Sequence, residues 1–456
     1  MNRVLHTLVA LLGGALGSLS SVAAQVPQGY YVFGTFGSAG QKGLFLVHPR
    51  APATPITVTG LTGDLLTSGS SCVLYRPFDG AIVCAERVQP NSSVDVHVIE
   101  LNGTHVLRDA SFSVGTGGSC CGEIPQMGLL ADGRIVLVAT DVAAGPLSLY
   151  KTTSYGYQGV GILDTASGKL DAVPISNGAS IVDVFNGLAV ARDGKTVYLG
   201  TYVSATRGDV WRVTLPTGGP ATLVGSVPAG LSNMAFDNFG QLWITTLDAT
   251  QGLFRMDVSN GKAVQVTQSN GALNGICNES TTGNFAVVSS SGGSPSRSIF
   301  WMETSGKDHL LSSPGLATPS GIAIHLNPGR FGRGTPTTSA SFDWELAPNA
   351  GGLPEVGNTN FALVVSQIGG IPASQTVSVL ATARLATPLT LLGTEIWVDL
   401  TRPHVLTFHG SGLRHTLPLG IPALSSLTGI ELFVQTLHHE PVEGHGASPA
   451  VMFTVL

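Results

Sequence analysis

The sequence predicts an all-β protein: a six-bladed β-propeller closed by its N- and C-terminal strands and followed by a small β-sandwich domain. Three features predict it: a hairpin pattern that recurs at a period near fifty, a second set of hairpins between its copies, and a change of period after residue 327. The clearest copy is NGLAVARDGKTVYLG, from Asn186 to Gly200. Leu188 and Val190 alternate with small neighbours, Asp193-Gly194 supplies a turn dipeptide, and Val197, Tyr198 and Leu199 restart the strand pattern. SCVLYRPFDGAIVCA (71–85), QMGLLADGRIVLVAT (126–140), SNMAFDNFGQLWITT (232–246) and NGICNESTTGNFAVVS (274–289) repeat it, and SGIAIHLNPG (320–329) is a half copy. The turn glycines Gly80, Gly133, Gly194, Gly240, Gly283 and Gly329 lie 43 to 61 residues apart. An isolated hairpin is marginal in water, so hairpins repeating at this interval are expected to bury one another's faces in a ring.

In chain order, residues 1–24 read as a secretory signal. Arg3 gives the positive start, Leu8 to Leu19 the short apolar core, and Val22-Ala23-Ala24 the small-residue cleavage site before Gln25. The apolar run is too short to span a bilayer, so a secreted, extracellular or periplasmic location is expected. The propeller is assigned to 25–327. Its outer hairpins turn at Asn102-Gly103, Ser167-Gly168, Gly218-Gly219, Asn260-Gly261 and Ser305-Gly306, with a proline-rich version in GLFLVHPRAPATPITV. The half copy near Gly321 lacks a second strand, and Tyr30 to Phe36 lacks a first, so pairing these two chain ends would close the ring and remove its exposed edges. Asn327 to Ser341 is rich in Pro, Gly, Thr and Arg, and 328–341 reads as a linker. In 342–456, FALVVSQ, QTVSVLATA, TEIWVDL, HVLTFHG, GIELFVQTL and AVMFTVL read as strands of a compact β-sandwich. The terminal strand is expected to be paired, because its apolar run would be costly to expose.

Charged residues make up only 11% of the chain, with 59 glycines and a mean hydropathy of +0.30. That balance suits a turn-rich, weakly charged β protein. The net charge of −6 provides no electrostatic footprint for nucleic acid or an anionic membrane. The chain is expected to act as a monomer on a protein or carbohydrate ligand. Five cysteines fit an oxidising compartment. Cys72 and Cys84 stand nearly equidistant from one turn, which predicts a disulfide worth about 2–4 kcal/mol if unstrained. For the adjacent Cys120 and Cys121, a vicinal disulfide, two free thiols and pairing elsewhere stand as alternatives. Cys277 reads as a small core residue.

NGLAVARDGKTVYLG resembles the hairpin of the gluconolactonase, regucalcin and strictosidine synthase-like six-bladed propellers. SNMAFDNFGQLWITT followed by GLFRMD is similar to the next blade of that superfamily, and NHL-type propellers carry related repeats. The resemblance implies a divalent metal at the channel top, held by a glutamate, asparagines and an aspartate. Asn186 falls on an asparagine position and Ser232 on the aspartate position, while no glutamate lies near Tyr30 or Ser320. PEVGNTNFALVV, TEIWVDL, PLGIP and GIELFVQ are similar to β modules that end secreted proteins of planctomycete-like bacteria, which imply no chemistry.

The strongest site candidate is the set of loops feeding the inner strands. Asp64, Asp183, Asn233 and Ser320 are the expected ligand contacts, and Glu123, Asn186 and Asn274 the expected metal ligands. Their carboxylate and amide oxygens suit Ca²⁺, the one cofactor they suggest. The competing reading makes Asn186 and Asn274 turn or channel residues that satisfy backbone groups. Half of the twelve histidines follow Arg402, and HHEPVEGHG reads as a solvated loop or, alternatively, a transition-metal ligand set. No G-x-S-x-G elbow is followed by an ordered acid and histidine, so nucleophilic catalysis has no support. The function expected is a non-catalytic binding or surface protein. The alternative is a metal-dependent lactonase or hydrolase working at the channel mouth.

Overall fold

The computed structural model describes residues 30–455 except 37–41, 49–50, 77–79, 87–91, 103, 119–121, 131, 153–155, 179–180, 182–183, 192, 238, 248–251, 268–271, 280–283, 292–297, 313–317, 325–328, 332–340, 346–353, 369–374 and 441–443. The expected signal segment, Cys120, Cys121, Asp183 and the turn expected at Gly283 lie outside the described residues. No described helix is long and apolar enough to cross a membrane.

The N-terminal part is a β-propeller of antiparallel sheets. The first sheet runs Thr318–Ile324, Tyr31–Phe36, Gly43–His48, Ala51–Thr57. Tyr31 stands opposite Ile324 and Phe33 opposite Ile322, so its innermost strand comes from the far end of the propeller sequence. The second sheet is Ser70–Arg76, Ala81–Glu86, Ser93–Asn102 and His105–Gly117. The third is built on Glu123–Leu129, Ile135–Ala144, Tyr157–Asp164 and Lys169–Ala172. These two are joined where Thr116 pairs with Ala144 and Gly117 with Val142. The fourth sheet starts at Val184–Val190, the fifth at Leu231–Phe236 and the sixth at Ala272–Glu279. Each adds three further strands outward in sequence order.

What holds the sheets together is apolar burial on both faces. Val83, Val96, Met127 and Leu137 fill the space between the second and third sheets. Val138, Ile162, Phe185 and Leu199 fill the next interval, and Tyr198, Leu231, Met234 and Ile244 the one after it. Trp243, Ile276 and Phe285 join the fifth sheet to the sixth. Tyr31, Phe33 and Phe45 pack on Ala286, Val288 and Ile299, joining the sixth sheet to the first. Two-sided burial explains why the inner strands read as near-continuous apolar runs with small residues. At Gly321, an added Cβ would lie 2.4 Å from the Val73 nitrogen, so only glycine lets these inner strands approach.

In the C-terminal part a two-stranded sheet, Arg384–Leu391 with Thr394–Val398, buries Ile396 and Val398 against Val379, Phe433 and Met452, and two larger sheets enclose the main core. One holds Gln375–Ala381, His404–Phe408, Glu431–Glu440 and Ala450–Thr454; the other holds Ser341–Glu345, Ala362–Ile368 and Arg414–Pro418. Phe342, Trp344 and Leu363 meet Val434, Val451 and Phe453 between them. Gly329–Phe331, expected to be a turn and linker, pairs instead with Ala450–Met452. His438, expected in a solvated loop, is buried on the Glu431–Glu440 strand.

The expected Cys72–Cys84 disulfide is absent, and both thiols are free and buried. Register is the reason. Cys72 pairs with Ala85 and Val73 with Cys84, so the two cysteines point to opposite faces of the sheet. Cys72 packs toward the third sheet, among Val83, Val96 and Met127, and Cys84 toward the first, among Val32 and Leu46. Denaturation and alkylation without reductant, followed by peptide mass mapping, should therefore modify both cysteines. A Cys72–Cys84 cross-linked peptide would contradict this register.

Candidate functional site

The innermost strand of each propeller sheet has one edge with no neighbouring strand, and its N–H and C=O groups need other partners. The sequence meets that need with β-bulges. Register skips between Ser70 and Cys72, between Glu123 and Gln126, between Phe185 and Gly187, between Leu231 and Met234, and between Leu273 and Gly275. In the first sheet it skips opposite Gly34, between Pro319 and Ile322. A bulge frees one residue from the ladder and re-aims its side chain. Among the residues so freed are the predicted Asn186, Asn233, Asn274 and Ser320, together with Ser71, Ile124, Pro125, Ser232 and Gly321.

Asn186 Nδ2 donates to the Leu231 carbonyl at 3.1 Å, from the fourth sheet to the fifth. Asn274 Nδ2 donates to the Pro319 carbonyl at 3.3 Å, from the sixth to the first. The Ser320 hydroxyl donates to the Ser70 carbonyl, and the Ser71 hydroxyl to the Ile124 carbonyl at 3.0 Å. Asn233 Nδ2 reaches the Pro125 carbonyl at 3.5 Å, from the fifth sheet back to the third. These bonds link each inner strand to another. At Gly275, which follows Asn274, an added Cβ would lie 2.6 Å from the Ser320 oxygen, so the Asn-Gly pair serves both the bond and the close approach.

The largest contribution comes from Gln126, which sequence reasoning did not select. Its buried carboxamide accepts from Leu188 N at 2.7 Å and Met234 N at 3.0 Å, and donates to the Met234 carbonyl at 2.6 Å. One side chain thus ties the third, fourth and fifth inner strands. Its signal in the sequence was a long amide at the start of an inner-strand repeat, in QMGLL, where the other copies begin with Ser or Asn. Glu279 was also missed. Its Oε2 accepts from the Tyr31 hydroxyl and the Trp301 indole N–H, both at 3.0 Å, at the seam between the sixth and first sheets. Burial, with Glu279 adding to it, pushes the Tyr31 hydroxyl well above the usual phenol range.

The remaining candidates are dispersed. Glu123 opens the third inner strand opposite Thr140. Ser232 is buried in the fifth-sheet bulge. Asp64 starts the short helix Asp64–Thr67. Asn186 and Asn274 bond to different sheets. Among the described residues, the one set of three His, Cys, Asp or Glu side chains within ligand distance does not contain Glu123.

No protein-family model and no curated protein matches the sequence. Among solved structures, the chain is similar to TolB from Acinetobacter baumannii at 11% identity and a TM-score of 0.43, over 64% of this chain and 65% of that one. It is similar to virginiamycin B lyase from Staphylococcus aureus at 13% identity and a TM-score of 0.39, over 65% and 91%. A luciferin-regenerating enzyme matches at 13% identity and a TM-score of 0.36, over 57% and 88%.

Proposed function

We propose that the chain is an exported, non-catalytic binding protein: a six-bladed propeller, closed by the pairing of Thr318–Ile324 with Tyr31–Phe36, that carries a β-sandwich at 342–456. The propeller offers a protein or carbohydrate ligand a rigid platform of loops. One observation carries the reading. The polar side chains at the inner-strand bulges, where a channel-mouth hydrolase would keep its ligands, hydrogen-bond to the backbone of other inner strands. The continuous series of apolar clusters from sheet to sheet supports closure.

A second reading, a Ca²⁺-dependent lactonase, is favoured by the amides themselves. Asn186 and Asn274 donate through nitrogen, so each oxygen remains an acceptor of the kind Ca²⁺ takes. Calorimetric calcium titration combined with a lactone and ester hydrolysis screen separates the two. Expected are no saturable calcium heat and no turnover. Asn186→Ala should cost about 1 kcal/mol of stability in urea unfolding, the net worth of one hydrogen bond. Calcium-dependent hydrolysis that Asn186→Ala abolishes would replace the binding reading with the enzymatic one.

A further inference from the structure

The second sheet carries, away from the inner strands, a group of polar side chains that takes no part in the bonds between those strands. Asp95 and His97 alternate along Ser93–Asn102 and so share one face. Cys84 pairs with His97 and Ala85 with Val96, so the next residue, Glu86, falls on the same face beside Asp95. On the other side Asp109 pairs with Ile99, one same-face step beyond His97. One ligand atom from each of Glu86, Asp95 and His97 lies within 4.8 Å of the others.

His97 supplies the second, independent observation. It is only 8% exposed, and its Nε2 is buried without a hydrogen bond. Its Nδ1 lies 3.0 and 3.1 Å from the two Asp109 oxygens. With an Nδ1–H donated to Asp109, Nε2 faces Glu86 Oε2 at 3.7 Å, within ion-pair range but beyond hydrogen-bond reach. Without metal, a proton on Nε2 makes His97 the cation between Asp109 and Glu86. Burial opposes that charge, but the two carboxylates outweigh it and raise the His97 pKa to about 9. A divalent ion would take that proton's place at Nε2. A tetrahedral ion with bonds of 2.0–2.2 Å would hold its ligand atoms about 3.4 Å apart, within a few tenths of an ångström of this separation. Two carboxylates balance a double positive charge, and an imidazole with carboxylates suits a first-row transition ion better than Ca²⁺, which takes oxygen alone.

We propose that Glu86, Asp95 and His97 bind a divalent transition-metal ion of the Zn²⁺ type, with water completing its coordination. Asp109 is a positioning residue, which fixes the imidazole tautomer as carboxylates do behind metal-bound histidines. The site lies on strands outside the channel and is independent of the proposed function.

The test uses the untagged full chain, stripped with chelator and titrated with Co²⁺ and Zn²⁺ by calorimetry, with Co²⁺ visible absorption reporting ligation. One equivalent should bind. Glu86→Gln and His97→Gln should abolish the absorption, and Asp109→Asn should weaken affinity about 10- to 100-fold. His439→Ala, in the C-terminal domain, should leave binding intact. Because Glu86 and His97 are buried, Asp95→Asn, at a half-buried side chain, covers the case in which they do not fold. The proposal is overturned if the wild-type chain takes up no stoichiometric metal, or if Asp95→Asn and His97→Gln bind like wild type. It is equally overturned if imidazole ¹⁵N shifts at saturating Zn²⁺ show His97 doubly protonated, an ion pair between Glu86 and Asp109.

Discussion

Lowering the pH from 6.5 to about 4 should destabilise the C-terminal sandwich by about 3 kcal/mol, and His438→Leu should remove most of that loss. His438 is 3% exposed, and neither ring nitrogen has a hydrogen bond. Its ring lies 4.6 Å from that of Phe342 in the shared core. Burial, assisted by His445, lowers its pKa from 6.5 to about 4. The unfolded chain therefore takes up a proton near pH 6.5, whereas the folded chain does so only near pH 4. Stability is complete above pH 6.5 and falls as the pH drops through that window. Two and a half pKa units at 1.36 kcal/mol each give the magnitude of about 3 kcal/mol. His409 and His415 are lowered too, chiefly by burial, and add in the same direction. Urea unfolding at pH 7.5 and pH 4.5, followed by tryptophan fluorescence in chains whose propeller tryptophans Trp211, Trp243 and Trp301 are replaced by Phe, measures the difference. An equal midpoint shift in wild type and His438→Leu would show that other groups carry the acid sensitivity. At neutral pH the leucine should cost little, because it replaces an unsatisfied ring with an apolar side chain.

The same histidine shows where sequence legibility ends. The alternation in GIELFVQTL was readable, but the strand continues through His438 and His439 to Glu440, and that extension turns a solvated loop into a buried imidazole beside a half-buried one. Hairpin periodicity was legible because alternation and turn glycines are local properties. Gly133, Gly194 and Gly240 do take positive φ at their turns. Register is not local. Cys72 and Cys84 stand nearly equidistant from one turn, yet the ladder sets Val73 opposite Cys84 and separates the thiols by the sheet. The bulges follow the same rule. Asn186 and Asn274 stood out as polar residues beside glycine, but which carbonyl each meets depends on a neighbouring strand some 45 residues away. The alternation of Asp95 and His97 was visible as strand pattern alone, since only the pairing with Ala81–Glu86 brings Glu86 beside them.

Gln126→Leu should be the most damaging single change in the propeller, at about 3–5 kcal/mol. The carboxamide makes three hydrogen bonds to backbone groups on two other inner strands. Leucine fills the volume but leaves Leu188 N, Met234 N and the Met234 carbonyl without these partners, and each buried unsatisfied group costs about 1–3 kcal/mol. Water entering the channel offsets part of this, which keeps the sum near the lower end of the range. Gln126→Glu separates the contributions. A carboxylate still accepts from both N–H groups but cannot donate to the Met234 carbonyl, which it then faces as like partial charge. Its loss should fall between those of Asn186→Ala, which removes one bond, and Gln126→Leu, which removes three. Urea unfolding of the three variants checks the order. If Gln126→Leu proved no worse than Asn186→Ala, the inner strands would be held by apolar packing between sheets rather than by side chains at their bulges. Those side chains would then be available to a ligand, and the channel mouth would regain its claim as the binding site.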